Sequence, residues 1–265
     1  MGLVDVKIDS KTNNIIKKIK KLASSKKYRE KEKKFVIEGL RLCEDAVKSG
    51  VNICDFLYTE EALLKNEEII RKIKKVALNS HVISEILLNY VSETRSPQGF
   101  VCICQNLDKE VTLDKISSKD KIIVLENIQD PSNLGTILRT AEALHIDAVV
   151  LSNDCCDRYS PKVLRGSMGA IFRLPIFVVE NLTETIKLLK HKGIKAYAAV
   201  PDRDALSVKK ADFNVRSLVV IGNEGNGLKL ETINSCDEKV TIPMKGRAES
   251  LNASVAASII MWEMV

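Results

Sequence analysis

The most informative stretch of this chain is LVVIGNEGNGL at residues 218–228. Its first four residues are continuously apolar, and so is the stretch IIVL at residues 122–125. Strands that are apolar on both faces are typical of a parallel sheet that helices cover on both sides. The pattern therefore predicts an α/β fold with a parallel sheet for the second half of the chain.

Three glycines, Gly222, Gly225 and Gly227, lie within the six residues that follow the apolar stretch at 218–221. Glycine permits left-handed backbone angles and lets a bound molecule approach the backbone closely. The spacing is neither the dinucleotide-binding fingerprint nor a P-loop, and the chain lacks both. A tight turn alone would explain the glycines, but an amide at Asn223 and a carboxylate at Glu224 favour a binding site.

Two more polar clusters follow other strands of the predicted sheet. ENIQDPSNLGTILRTAE at residues 126–142 begins a helix, on which Arg139 and Glu142 either pair with each other or face a ligand. IPMKGRAESLNASVAAS at residues 242–258 leads into a helix of small residues that Ser250 or Asn252 can cap. Capped helices alone would explain each cluster. Because open α/β sheets bind ligands beyond the carboxyl ends of their strands, we expect the three loops to form one site.

The order of predicted elements divides the chain into two α/β domains. Residues 1–106 form a small N-terminal domain, residues 107–120 a polar linker, and residues 121–265 the second domain. In the first domain, strands are predicted at 35–37, 53–58, 75–78 and 100–105, and helices at 13–23, 40–47, 60–72 and 82–90. In the second, strands are predicted at 121–126, 147–151, 176–179, 194–199, 217–221 and 239–242, and helices at 133–145, 158–170, 182–191 and 250–264.

The positive charge of the chain is concentrated at its start. Residues 1–34 carry 12 basic and four acidic residues, a net charge of +8, whereas the remainder carries 29 basic and 31 acidic residues. A solvated helix face would explain a run of lysines, but so local an excess also suits a polyanion such as nucleic acid. The candidate RNA contacts in this segment are Lys17, Lys18, Lys20, Lys21, Lys26, Lys27 and Arg29.

Composition argues against several other classes of protein. No apolar run reaches the ~20 residues of a membrane span, and the first residues lack a secretory signal, so we expect a cytoplasmic protein. Seven scattered cysteines and three histidines provide no zinc-ligand spacing, and we expect no metal site. We expect reduced and mostly buried thiols, because a bridge between the neighbours Cys155 and Cys156 would be strained.

Taken together, the three clusters resemble the motifs of the SpoU RNA 2′-O-methyltransferases in the SPOUT superfamily. The matching stretches are residues 127–143, 219–228 and 242–258. Residues 159–175 are similar to the segment that these enzymes carry between the first two motifs, and residues 12–47 resemble their N-terminal substrate-binding domain. The resemblance implies methyl transfer from S-adenosylmethionine to a ribose 2′-hydroxyl of structured RNA. It favours 23S ribosomal RNA over transfer RNA.

The resemblance also implies an architecture and a set of site residues. It implies a deep C-terminal trefoil knot, a homodimer formed through the catalytic domain, and no metal. The implied cofactor-binding residues are Gly222, Asn223, Gly225, Gly227, Ile242, Met244 and Leu251. The implied catalytic residues are Asn133, Arg139, Glu224, Ser250 and Asn252.

Among these catalytic residues, Asn133 and Glu224 would hold the ribose, while Ser250 and Asn252 would orient Arg139. A guanidinium stays protonated in proteins, so we expect Arg139 to stabilise the developing alkoxide or the adjacent phosphate rather than to act as a base.

Two classes of protein remain as alternatives to an rRNA methyltransferase. One is an RNA-binding or ribosome-assembly protein without catalytic activity, which the presence of all five polar positions disfavours. A transfer-RNA 2′-O-methyltransferase would share the chemistry and differ in substrate. The other class, a nicotinamide dehydrogenase, is disfavoured by the missing dinucleotide fingerprint.

Overall fold

The computed structural model describes residues 5–108 and 112–265, which form two compact units. The first unit contains residues 5–108 together with Tyr159–Phe172, and the second contains residues 112–158 together with 173–265. Residues 109–111 of the predicted linker and residues 1–4 lie outside the described residues. A short helix occupies part of that linker.

The first unit is a mixed five-stranded sheet with helices. Its strands are β1 (Val6–Ile8), β2 (Lys34–Glu38), β3 (Ile53–Thr59), β4 (Asn79–Ile83) and β5 (Phe100–Gln105), in the order β1-β4-β3-β5-β2. β4 pairs parallel with β1 and β3, and β5 pairs antiparallel with β3 and β2. The helices are α1 (Asn14–Ser24), α2 (Lys26–Glu32), α3 (Leu40–Lys48), α4 (Glu60–Lys65), α5 (Glu67–Val76) and α6 (Glu85–Val91).

Helices α1 and α6 bury their apolar sides in one core. Ile16, Ile19 and Leu22 of α1 recur at helical spacing and are fully buried, which is why this basic stretch folds as an amphipathic helix. They share a core cluster with Leu87 and Leu88 of α6 and with residues of the sheet. The lysines of α1 therefore lie on the opposite side of the helix, away from the core.

Residues Tyr159–Phe172, which lie later in the chain, complete the first unit. The ring of Tyr159 stacks on Phe35 of β2 with centroids 4.8 Å apart, and Phe172 stacks on the same ring at 6.4 Å. The Tyr159 hydroxyl also accepts a bond of 2.7 Å from the backbone N–H of Leu107.

The second unit is a parallel sheet of seven strands. These are β6 (Lys121–Leu125), β7 (Ala148–Ser152), β8 (Ile176–Val179), β9 (Lys195–Ala199), β10 (Leu206–Ser207), β11 (Ser217–Ile221) and β12 (Glu238–Thr241), in the order β10-β12-β9-β11-β6-β7-β8. Every pairing is parallel. The helices of the second half of the chain are α7 (Leu113–Ser117), α8 (Pro131–Ala143), α9 (Pro161–Gly166, in the first unit), α10 (Leu182–His191), α11 (Leu230–Ser235) and α12 (Ala253–Met264). The predicted α/β class and parallel sheet are confirmed.

Several predicted elements differ from the structure. The strand predicted at 75–78 is wrong: α5 continues to Val76, because Ile70 and Ile73 keep the helical spacing of buried residues, and the strand β4 begins only at Asn79. The helix predicted at 60–72 is two helices that meet at Asn66. The short strands β1 and β10 and the helices α2, α7 and α11 were not predicted, since two to seven residues carry too little periodicity.

All seven cysteines are free thiols, and five of them are buried. The longest described helix, α8, has 13 residues, and none of the described helices has the length and hydropathy to cross a bilayer. Within residues 5–108 and 112–265, no three His, Cys, Asp or Glu side chains are grouped closely enough to hold a metal ion.

Candidate active site

Three loops follow strands β6, β11 and β12 at one edge of the parallel sheet. β11 and β6 are neighbours, and Ile221 at the end of β11 lies in register with Leu125 at the end of β6. β12 is separated from β11 only by β9. Because all these strands run in the same direction, the loops that carry the three sequence clusters emerge together.

The loop after β11 is a tight turn closed on itself. Asn223 and Gly227 each donate a backbone N–H to the carbonyl of the other, at 3.0 Å in both directions. Within the turn, the side-chain Oδ1 of Asn223 accepts from the N–H of Gly225 at 2.8 Å and of Asn226 at 3.1 Å. The Asn223 side chain therefore shapes the turn from inside, a role that asparagine commonly takes in loops.

The three glycines of this turn differ in whether the backbone requires a glycine. A Cβ at Gly222 would lie 2.3 Å from the carbonyl carbon of Gly227, so no side chain fits there. Gly227 has a φ of +67°, in the left-handed region. At Gly225 neither reason applies, because its φ is ordinary and a Cβ would meet only Asn223 Oδ1, at 3.5 Å. The expectation of special backbone angles is therefore correct for Gly227 and wrong for Gly225.

A chain of hydrogen bonds joins the three loops. Asn252 Nδ2, in the third loop, donates to Asn133 Oδ1 on α8 at 3.0 Å. Asn133 Nδ2 in turn donates to Oε1 of Glu224, in the glycine turn, at 2.8 Å. The Asn133 side chain is only 6% exposed, so both ends of its amide are held within the protein. Three residues that the resemblance implied as catalytic thus form one network.

Glu224 is exposed at the rim of this network yet accepts several hydrogen bonds. Besides Asn133, the backbone N–H of Asp130 donates to Oε1 and that of Gln129 to Oε2, each at 3.3 Å. Partial burial disfavours the charged carboxylate, but the bonds from Asn133 and the backbone outweigh it and lower the pKa of Glu224 below its ordinary value. Glu224 is therefore a carboxylate, able only to accept hydrogen bonds, across the neutral range.

A cleft of about 430 Å³ opens beside the glycine turn. Its walls include apolar side chains such as Leu228, Ile233 and Ile260, and polar groups such as Thr241 and Glu249. It lies between the turn and the loop that precedes α12. Every cofactor-binding residue that the resemblance implied lines this cleft: Gly222, Asn223, Gly225, Gly227, Ile242, Met244 and Leu251.

The remaining implied catalytic residues, Ser250 and Arg139, form no hydrogen bond with this network within the part of the chain that the structure describes. Ser250 lines the cleft, but Asn252 and not Ser250 caps α12, accepting from the N–H of Ser254 at 2.9 Å. Arg139 is exposed on α8. It does not pair with Glu142, whose carboxylate accepts from Arg173 Nε at 2.7 Å. The predicted alternative of a pair with Glu142 is therefore wrong, and the Arg139 side chain is exposed to solvent.

Sequence reasoning missed Glu126, which holds both ends of the glycine turn. Its backbone N–H donates to the carbonyl of Ile221, just before the turn, at 2.9 Å. Its buried carboxylate accepts from the N–H of Lys229, just after the turn, at 2.9 Å, and from the Thr232 hydroxyl at 2.6 Å. The only sequence signal was a charged residue directly after a buried strand, since the partners are about a hundred residues away.

The basic segment of the first unit contains one residue that faces inward. Arg29 is 7% exposed, and its Nη1 donates to the carbonyls of Leu22 and Ala23 at the end of α1. This side chain stabilises a helix terminus, so Arg29 is removed from the candidate RNA contacts. Lys17 and Lys27, in contrast, are exposed.

Two family models match the chain. Residues 120–262 match the SpoU rRNA methylase family, and residues 13–102 match the MRM3-like substrate binding domain. The chain belongs to the SpoU rRNA methylase family. The first match contains all three loops of the network and the cleft, and the second contains the basic segment from residue 13 onward.

Relatives of this SpoU methylase cover nearly its whole length. It is 33% identical over 258 residues to the 23S rRNA (guanosine(2553)-2′-O)-methyltransferase RlmP of Bacillus subtilis, covering 97% of this chain and 98% of that protein. It is 30% identical to an uncharacterized tRNA/rRNA methyltransferase of Synechocystis, covering 97% of this chain and 92% of the other.

Solved structures are similar over the same extent. The AdoMet-bound rRNA methyltransferase of Sinorhizobium meliloti is 28% identical with a TM-score of 0.86, covering 97% of this chain and 96% of that one. The SpoU methyltransferase AviRb of Streptomyces viridochromogenes, in complex with AdoMet, is 26% identical with a TM-score of 0.84, covering 95% and 97%. The predicted family, RNA 2′-O-methyltransferase activity and S-adenosylmethionine cofactor are confirmed, and the dehydrogenase alternative is discarded.

Proposed function

We propose that this SpoU methylase transfers a methyl group to a ribose 2′-hydroxyl of 23S ribosomal RNA, using the cleft beside the glycine turn for S-adenosylmethionine. The observation that carries the proposal is the hydrogen-bonded chain from Asn252 through Asn133 to Glu224, which adjoins that cleft. The substrate follows from the similarity to RlmP, whose name states a 23S rRNA guanosine. Ribosomal RNA as the substrate also supports a cytoplasmic location for the protein.

The cleft fits the cofactor in size and in chemistry. Its volume of about 430 Å³ lies within the range of small-molecule pockets. Apolar residues such as Leu228, Ile242 and Leu251 suit an adenine ring, and the backbone of the turn at Gly222–Gly227 offers polar groups to a ribose. Glu249, which also lines the cleft, would supply a carboxylate for the amino group of the methionine part. The bound cofactor supplies an activated methyl group on a sulfonium, so no metal is needed.

In the mechanism, the residues of the chain orient the RNA ribose and manage its proton. The Glu224 carboxylate accepts the hydrogen bond of the 2′-hydroxyl through Oε2, which orients the attacking oxygen, and it receives the hydroxyl proton when that oxygen is methylated. Asn133 positions Glu224 and does not hold the ribose, because its amide is buried and bonded at both ends. Arg139 stabilises the negative charge that develops on the 2′-oxygen, or the neighbouring phosphate.

We further propose that two copies pair through the catalytic domain, which contains the C-terminal knot of its family. One side of α12 carries the exposed side chains Val255 and Trp262, seven residues apart, with 47% and 68% of their surface exposed. Burying such a face against a second copy removes apolar surface from water. Changing both residues to glutamate should yield a monomer in sedimentation, whereas Leu230→Glu, at another exposed apolar position of the second unit, should not.

We propose the predicted N-terminal domain, residues 1–106, as the RNA-binding domain and residues 121–265 as the catalytic domain. The first unit contains the described residues of this N-terminal domain together with Tyr159–Phe172. The net charge of +8 at residues 1–34 and the match to a substrate binding domain support this. Changing Lys17, Lys18, Lys20, Lys21, Lys26 and Lys27 to glutamate should weaken RNA binding strongly at low salt and leave cofactor binding intact. Unchanged RNA affinity in that variant would show that the segment is only a solvated face.

The decisive experiment maps 2′-O-methylated nucleotides in RNA from cells with and without the gene. One nucleotide of 23S rRNA should lose its methyl group, and an intact copy of the gene should restore it while an Arg139→Ala copy should not. Loss of a transfer-RNA methyl group would instead support the transfer-RNA alternative. No change in any RNA, together with RNA binding by the purified chain, would support the non-catalytic alternative.

A further inference from the structure

We propose that Tyr90 is a stacking platform for an unpaired base of the RNA substrate, with Lys11 and Lys20 holding the phosphates beside that base. The inference rests on the proposed RNA-binding role of the first unit. It goes further by naming the kind of nucleotide that this surface recognises, which is an unpaired one, and the side chain that recognises it.

Tyr90 stands on a rigid support. It lies in α6, whose other side contributes Leu87, Leu88 and Val91 to the core that α6 shares with α1. Its neighbour Val91 is only 3% exposed, so the backbone at Tyr90 is anchored. The ring nevertheless has 40% of its surface exposed. A tyrosine held in this way presents an aromatic surface to a ligand with little loss of entropy on binding.

Two ammonium groups lie against this ring. Lys11 Nζ is 4.8 Å and Lys20 Nζ is 5.1 Å from its centroid. Lys11 precedes α1 and Lys20 lies on it, so separate parts of the chain bring the two charges to one ring. Lys17 is exposed three residues before Lys20, on the same side of the helix. The ring is therefore flanked by two cations that come from the segment with the strongest positive charge.

An aromatic ring among lysines matches the way proteins bind single-stranded nucleic acid. Bases stack on the aromatic ring while cations follow the phosphates. In a duplex both faces of a base are covered by its neighbours, so a protein ring can stack only on a base that is splayed out. Ile86, one helical turn before Tyr90 and 73% exposed, extends the apolar surface beside the ring. An acidic protein partner would use the lysines but would not require the flat ring.

The test uses the full chain and a short unpaired RNA oligonucleotide that contains a fluorescent purine analogue whose emission falls on stacking. Tyr90→Leu should weaken binding by about fivefold to a hundredfold and abolish the fall in emission, because an aliphatic side chain cannot stack. Tyr90→Phe, the matched control, keeps the ring and should retain both. A duplex of the same length should bind the wild type and Tyr90→Leu equally well.

The lysines should act differently from the ring. Lys11→Gln and Lys20→Gln should each reduce the slope of log affinity against log salt by roughly 0.7, whereas Tyr90→Leu should leave the slope unchanged. Equal binding of the unpaired RNA by Tyr90→Leu and Tyr90→Phe would overturn the proposal. So would an equal loss of duplex binding, since that would show a general surface contact.

The six-lysine glutamate variant separates failure of this inference from failure of the RNA-binding proposal. If that variant binds RNA as the wild type does, the RNA-binding proposal fails, and the stacking site fails with it. If it loses RNA binding while Tyr90→Leu does not, only the stacking site is wrong. Thermal unfolding and S-adenosylmethionine binding of each variant confirm that it is folded.

Discussion

The loops at the end of the parallel sheet and the basic segment at residues 1–34 both concentrate polar side chains, but in opposite ways. In the loops the side chains converge, and Asn133 is bonded to both Asn252 and Glu224. In the basic segment they contact different partners: Lys18 pairs with Glu32 at 3.2 Å, whereas Lys11 and Lys20 lie against the ring of Tyr90.

This difference separates two kinds of function. A converging network holds particular atoms in place, so a single change should remove its function. A set of charges with different partners acts through their sum, so a single change should have a small effect that depends on salt. The following predictions test that contrast, beginning with the largest expected effect.

Arg139→Ala should lower kcat by about 10²–10³, the usual effect of losing one group that stabilises the transition state. Affinity for S-adenosylmethionine should stay within about twofold, because the side chain is proposed to act on the RNA. Single-turnover methylation and cofactor titration measure the two. Arg139→Lys should also be poor, since a point charge does not replace a planar fork. A lysine variant with wild-type turnover would mean that charge alone is enough.

Gly222→Ala should lower the free energy of unfolding by about 1–3 kcal/mol, because its Cβ would lie 2.3 Å from the carbonyl carbon of Gly227 and the turn must shift. It should also weaken cofactor binding. Gly225→Ala is the matched control for stability and should change it by no more than about 0.5 kcal/mol. Denaturant unfolding of both variants measures the difference, and equal losses would contradict this account of the turn.

Arg29→Leu and Lys27→Ala each remove one positive charge from the basic segment, but only the first should destabilise the fold. Loss of Arg29 leaves the carbonyls of Leu22 and Ala23 without their guanidinium partner, at a cost of about 1–3 kcal/mol. Lys27→Ala should cost no more than about 0.5 kcal/mol. Thermal unfolding measures both, and similar midpoints for the two variants would show that Arg29 has no structural role.

Glu224→Gln should lower the free energy of unfolding by a small amount that depends on pH. The pKa of Glu224 is lowered in the folded chain, so its ionised form stabilises the fold. That contribution is fully present above the ordinary glutamate pKa of 4.5 and is lost as the pH falls through the lowered value. The stability difference between wild type and Glu224→Gln should therefore shrink in acid. A difference that does not vary with pH would contradict the hydrogen-bonded carboxylate.

Local pattern was sufficient for much of the fold. Continuously apolar strands predicted the parallel sheet, and the alternation of elements predicted an α/β chain, because both depend on residues that are near one another in sequence. Local pattern was misleading at residues 75–78, where the apolar residues at the end of α5 led to the prediction of a strand. Backbone hydrogen bonding in the adjacent sheet places the strand at Asn79–Ile83 instead.

The position of the candidate site was predictable from the rule that ligands bind beyond the carboxyl ends of parallel strands. That rule brings the three loops to one edge, and the resemblance supplied residues within them. It could not show that Glu126 holds both ends of the glycine turn, or that Asn133 is buried and bonded on both sides. These roles depend on partners about a hundred residues away.

The amino-acid sequence alone therefore determined the element types, the parallel sheet, the local excess of positive charge and the family. Tertiary structure alone decided which basic residues of one segment, and which glycines of one turn, have a structural role. Arg29 and Lys27 are both basic residues of one segment, but only Arg29 turns inward to the end of α1. Gly222 and Gly225 are both glycines of one turn, but of the two only Gly222 is so close to the returning backbone that a Cβ would clash with it. Residue type and spacing are local properties, whereas burial and contact depend on how distant parts of the chain pack together.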